Sequence, residues 1–134
     1  MILRSIAIPI VVVMGVLFVL PVEDRTSTQG KTVIVKMVDK SATEFSFEPA
    51  DITVKQGDVI RFVQTSTMPH NVEFRDGPEG TELNGDRVGP YLLTPDETYE
   101  VSIDSRFATG VHKYVCTPHE FMGMVGTITV EAGR

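Results

Sequence analysis

The run Tyr114-Val115-Cys116-Thr117-Pro118-His119-Glu120-Phe121-Met122-Gly123-Met124-Val125-Gly126 carries the sole cysteine of the 134-residue chain. It lies between two segments that read as strands, residues 111–116 and 125–130. A histidine follows the cysteine by three positions and a methionine by eight. A thiolate, an imidazole and a thioether therefore share one short loop, with no carboxylate at those spacings. These soft and borderline donors suit copper better than magnesium, calcium or catalytic zinc. The loop still needs a ligand from elsewhere in the chain.

Outward from this loop the pattern is one of strands. Val33, Val35 and Met37 alternate with Ile34, Lys36 and Val38, and Asp39 breaks the run. Phe45 and Phe47 flank Ser46, and Glu48-Pro49-Ala50 turns the chain. Ile52 and Val54 form a short strand, followed by the turn Lys55-Gln56-Gly57-Asp58, where glycine supplies a positive φ. Residues 59–64 are rich in β-branched and aromatic types, and His70 opens a further short strand through Phe74. Residues 75–90 hold four glycines and two prolines, the composition of a long surface connection with room for one helical turn. Tyr99, Val101 and Ile103 then alternate with Glu100, Ser102 and Asp104. Seven to eight short strands and no amphipathic helix of useful length predict an all-β fold, an antiparallel sandwich or barrel.

The missing ligand is sought among the three histidines. His112 lies four residues before Cys116 on the same strand. That is about 13 Å along the sheet at ~3.3 Å per residue, so an interior position away from the metal is expected. His70 stands where a loop, Met68-Pro69, enters a strand. The donor set becomes His70, Cys116, His119 and Met124, with Met122 as apolar surface beside it. Two imidazoles and a thiolate in a trigonal plane, with a weak axial thioether, describe a blue-copper electron-transfer site. A copper-delivery protein is the alternative. A thiol redox sensor fits poorly with a cysteine placed between metal donors, and a metal-free sandwich leaves the Cys/His/Met spacing without a reason.

The N-terminus suggests export. One arginine precedes the apolar residues 6–20, and Pro21, Glu23, Asp24 and Arg25 close the run. No small-x-small cleavage site is present, since Phe18-Val19-Leu20-Pro21 is bulky. Residues 1–22 are accordingly expected to be a signal peptide or, in preference, an uncleaved signal-anchor that allows membrane association. Residues 23–30 form a polar linker and residues 31–134 the domain, placed in the periplasm or otherwise outside the cytoplasm. The net charge is −6 with acidic and basic residues interspersed, and no Lys/Arg run tracks a phosphate backbone. Nucleic acid is not an expected partner. With one cysteine, no intrachain disulfide can form.

At these residues the chain resembles the cupredoxins, the small blue copper proteins, most closely the plastocyanin and pseudoazurin branch. Phe45-Ser46-Phe47-Glu48-Pro49 and the run from Ile52 to Ile60 are similar to the early strands of that family. Pro69-His70-Asn71-Val72 resembles its first ligand motif, and Cys116-Thr117-Pro118-His119 with Met122-Gly123-Met124-Val125-Gly126 its ligand loop. The resemblance spans residues 31–131. It implies an eight-stranded Greek-key β-sandwich with one type 1 copper ion near one end, held by His70, Cys116, His119 and Met124. It implies that Asn71 links the two ligand loops by hydrogen bonds, and that His119 is the electron port. Met68, Pro69, Pro118, Phe121 and Met122 would form an apolar rim for transient docking of redox donors and acceptors, with no enzymatic step. The family's exposed tyrosine before the cysteine is Val115 here, so a second electron route on that side is not implied. Glu73, Asp76, Glu79, Glu82 and Asp86 either steer a basic partner or form a solvated loop, and the solvated loop is the favoured reading.

Overall fold

β-branched and aromatic residues at alternate positions build eight strands in the computed structural model, which describes residues 30–133. The signal or anchor segment and residues 23–29 of the linker lie outside the described residues. The strands are β1 (Thr32–Ser41), β2 (Glu44–Glu48), β3 (Asp51–Lys55), β4 (Val59–Gln64), β5 (Glu73–Phe74), β6 (Thr98–Ser102), β7 (Gly110–Val115) and β8 (Val125–Glu131). They form two four-stranded sheets, ordered β2-β1-β4-β6 and β3-β8-β7-β5.

The pairing is mixed, which corrects the antiparallel expectation. β1 runs parallel to β4 and β3 parallel to β8, while the other pairs are antiparallel. The physical reason lies in the turn at Pro49. β2 pairs with β1, but the next strand, β3, crosses to the other sheet, and β4 returns to lie along the far edge of β1. Each crossing places two strands of the same direction side by side.

Alternation then fills the space between the sheets. Val35, Met37, Phe47, Ile60 and Phe62 from one sheet meet Val54, Tyr114, Ile128 and Val130 from the other, all buried. Tyr114 bridges the layers, its ring 4.7 Å from Phe47 and 5.5 Å from Phe62. Its hydroxyl donates to the Ala50 carbonyl at 2.8 Å, so the one polar atom this ring carries inward is satisfied. Burial pushes its phenol well above the usual range.

The turn before β4 behaves as the sequence indicates. Gly57 adopts a φ of +97°, and buried Asp58 accepts from the backbone N–H groups of Lys31 and Lys55, both at 2.9 Å. His112 sits on β7 with its ring in the interior, where Nε2 lies 2.7 Å from the Ala108 carbonyl and the ring meets Phe107 edge-on. The strand expected from His70 to Phe74 is shorter, reduced to Glu73–Phe74, because His70 instead makes an isolated bridge to Leu92. The long connection contains a single 3-10 turn at Asn84–Arg87.

Candidate metal centre

The β7–β8 connection is built to bring two donors back to one point. β7 ends at Val115, paired with Val125 at the start of β8. One step further, the Cys116 N–H donates to the Met124 carbonyl at 3.0 Å. Cys116 and Met124 thus face each other across an antiparallel pair, where opposed side chains share a face. Both are fully buried, whereas Met122 is 39% exposed. Between them Thr117–Met122 winds as a 3-10 turn with Pro118 in its first turn, a position that needs no N–H. The His119 N–H donates to the Cys116 carbonyl at 3.0 Å, so the three-residue spacing returns the imidazole to the thiol. Gly123, with φ +89°, ends the turn in the left-handed region and sends Met124 inward.

The opposite loop carries His70. Its N–H and carbonyl both bond to Leu92, at 3.1 and 2.8 Å. Buried Gln64 braces this loop by donating to the carbonyls of Met68 at 2.7 Å and Leu92 at 3.0 Å. The two loops are tied by Asn71. Its amide nitrogen donates to the Thr117 hydroxyl at 2.9 Å, and its amide oxygen accepts from the Thr117 N–H at 2.8 Å. The Thr117 hydroxyl donates in turn to Glu73 at 2.8 Å, and Arg75 joins Glu73 to Glu120 on the ligand turn.

Three donor atoms converge as a result. Cys116 Sγ lies 3.5 Å from His70 Nδ1 and 3.4 Å from His119 Nδ1, and the two Nδ1 atoms are 3.1 Å apart. All three residues are buried. A point equidistant from the three atoms lies about 1.9 Å from each, near the ~2.0 Å metal–imidazole and ~2.3 Å metal–thiolate lengths typical of first-row metals such as zinc. With the ring protons on their far nitrogens, both imidazoles can turn a lone pair to this point, where the sulfur also faces a cation. Two imidazoles and a thiolate in a plane, with a methionine beside them, fit copper rather than a hard cation. His112 is outside this cluster.

Two residues outside the ligand motifs hold the imidazoles. The Phe45 ring stacks on the His119 ring with centroids 3.9 Å apart and planes 19° from parallel, and meets His70 edge-on at 5.8 Å. Asp39 Oδ1 lies 2.7 Å from His70 Nε2. Burial works to raise the Asp39 carboxyl, but hydrogen bonds from His70, Ser66 and the Met68 backbone outweigh it and hold the carboxyl below its usual value. In sequence Asp39 reads as the end of a strand, but β1 continues through it to Ser41 and pairs it with Phe45, whose contact with His119 the family-like stretch does not reveal.

Burial pushes the Cys116 thiol up. Burial first, and then the neighbouring His70, push the His119 imidazole down. At neutral pH the metal-free site therefore holds a protonated thiol beside a neutral His119. Metal binding must expel the thiol proton, whereas His119 competes only below the ordinary imidazole range. Copper affinity is expected to fall about tenfold per pH unit on acidification through about pH 8 to 6, the slope for one released proton. Competition with a chelator of known proton affinity measures this, and a flat profile contradicts it.

The acidic residues of the long connection are partly neutralised. Asp86 pairs with Arg106, in keeping with a solvated loop, whereas Glu73 lies on β5 just before the connection and pairs with Arg75. Val115 is buried, so it presents no aromatic edge to solvent.

Residues 33–131 match the copper binding proteins of the plastocyanin/azurin family. The chain belongs to that family. It is 37% identical to the chloroplastic plastocyanin of Chlamydomonas reinhardtii over 95 residues, covering 69% of this chain and 62% of that one. The chain thus spans less than two thirds of that relative's length. It is also 37% identical to the plastocyanin of Prochlorothrix hollandica over 101 residues, covering 75% of this chain and 73% of that one. Among solved structures, a pseudoazurin from Sinorhizobium aligns with a TM-score of 0.57 and 32% identity, over 75% of this chain and 74% of that chain.

Proposed function

We propose that this protein is a type 1 blue copper protein that carries single electrons between redox proteins outside the cytoplasm. The observation that supports this most is the convergence of His70 Nδ1, Cys116 Sγ and His119 Nδ1 within 3.5 Å of one another in a buried site. Copper held there supplies a one-electron couple between Cu(I) and Cu(II). The protein's part is to hold His70, Cys116, His119 and Met124 still, so that little reorganisation accompanies each transfer. Asn71, Gln64 and the reciprocal bonds to Thr117 restrain the loops. Burial of all the donors excludes water and leaves no open position for substrate, so the site suits a carrier and not an enzyme. It also disfavours copper delivery, which needs easy release.

His119 is the proposed electron port. It retains 6% exposure where His70 retains none, and it is stacked by Phe45 on its inner side. Phe121, 81% exposed, with Met68 and Met122, supplies an apolar rim around this end. Small apolar patches of this sort favour brief docking of donor and acceptor proteins over stable complexes. The Greek-key description, the domain at residues 31–134 and an export or membrane-anchoring role for residues 1–22 belong to the same proposal. The apolar run at residues 6–20 supports the last of these.

Voltammetry of the copper-loaded full-length chain tests the carrier role. A reversible one-electron couple with copper retained through repeated cycles is expected. Loss of copper on each reduction would instead assign the protein to delivery.

A further inference from the structure

The two histidine donors are held by one hairpin. Asp39 and Phe45 are partners in the β1–β2 register, immediately before the irregularity between Asp39 and Ser41. Phe45 packs on His119, and Asp39 reaches His70. The two contacts differ in kind. Stacking fixes a plane, whereas a carboxylate on a ring nitrogen fixes both a proton and a charge.

His70 Nδ1 is the nitrogen in the donor triangle, so it must present a lone pair there. The ring proton then sits on Nε2, which is fully buried and 2.7 Å from Asp39 Oδ1. Nε2–H donates and the carboxylate accepts. The second carboxylate oxygen takes the Met68 N–H at 3.4 Å, a long contact that ties Asp39 to the loop carrying His70. The Asp39 side chain is only 19% exposed, so water screens the carboxylate weakly. A carboxylate on the far nitrogen of a ligand imidazole fixes its tautomer and raises its basicity. Greater basicity and a nearby negative charge both favour the more positive state of the metal.

We propose that Asp39 is a positioning residue that locks His70 in the Nε2–H tautomer and, through its negative charge, lowers the reduction potential of the bound copper. This rests on the copper-carrier reading above. It goes further by naming the side chain that sets the poise of the couple. The effect needs no change in the donor set.

Asp39→Asn is the decisive variant. The amide oxygen can still accept from Nε2–H, so ring orientation is kept while the charge is removed. At a fixed solution potential the ratio of reduced to oxidised protein is expected to rise about tenfold, a midpoint increase of about 59 mV for one electron. A change below about twofold, or a lowered midpoint, overturns the proposal, since a purely structural hydrogen bond leaves the potential where it was. The wild-type couple separates the two levels of inference. If the wild type gives no reversible couple, the carrier reading fails. If it does and Asp39→Asn leaves it unshifted, only the role of Asp39 fails. Should the variant lose copper, ¹⁵N–¹H spectra of the Cu(I)-loaded wild-type chain decide. A His70 Nε2–H protected from exchange is expected, and an Nε2–H that exchanges freely overturns the proposal.

Discussion

Replacing Cys116 by serine is expected to abolish the visible thiolate-to-copper band and to weaken copper binding by more than the ~10–100-fold that losing an outer hydrogen-bond partner costs. Cys116 is the single anionic donor in the cluster, and its sulfur lies within 3.5 Å of both imidazole nitrogens. A hydroxyl is harder, far less acidic and has no comparable charge transfer to Cu(II). The backbone is not expected to suffer, because the Cys116 N–H and carbonyl bonds to Met124 and His119 do not involve the side chain. Absorption spectroscopy and a chelator titration read the two effects separately. A persistent intense band in Cys116→Ser would contradict the ligand assignment.

Replacing Phe45 by alanine is expected to destabilise the metal-free domain by about 3–5 kcal/mol, the usual cost of emptying a buried phenylalanine position. Phe45 is buried between the sheets and the ligand turn, and it contacts both imidazole rings. The melting temperature should fall on the order of 20 °C, taking ~4–8 °C per kcal/mol for a domain near 100 residues. Chelators should also strip copper faster, because the cavity opens beside His119. Phe45→Leu, which keeps most of the volume, should lose less than half as much. Thermal unfolding of the three proteins checks this, and a drop of under roughly 5 °C for alanine would show that the site tolerates the void.

The parts of this protein legible in sequence were those written in local pattern. Alternation marked the strands, Gly57 marked the turn, and the spacing of Cys116, His119 and Met124 marked the ligand turn. The preference for Met124 over Met122 comes from the resemblance of the ligand loop, because two residues of equal parity are not separated by alternation; the structure separates them by leaving Met122 in the 3-10 turn and pairing Met124 with Cys116. What remained hidden depends on contacts between distant segments. Asp39 is 31 residues from His70 and looked like a strand end. Phe45 looked like any core aromatic, and Gln64 like the polar end of a strand. The parallel pairing of β1 with β4 was hidden for the same reason. Periodicity says which face of a strand is buried and is silent on which neighbour it meets.

The most direct measurement is a titration of the metal-free full-length chain with Cu(II), followed by visible absorption. An intense thiolate-to-copper band that rises linearly and stops at one equivalent is the predicted result. A colourless complex, or a band that stays weak past one equivalent, would contradict the claim that His70, Cys116, His119 and Met124 form one electron-transfer site.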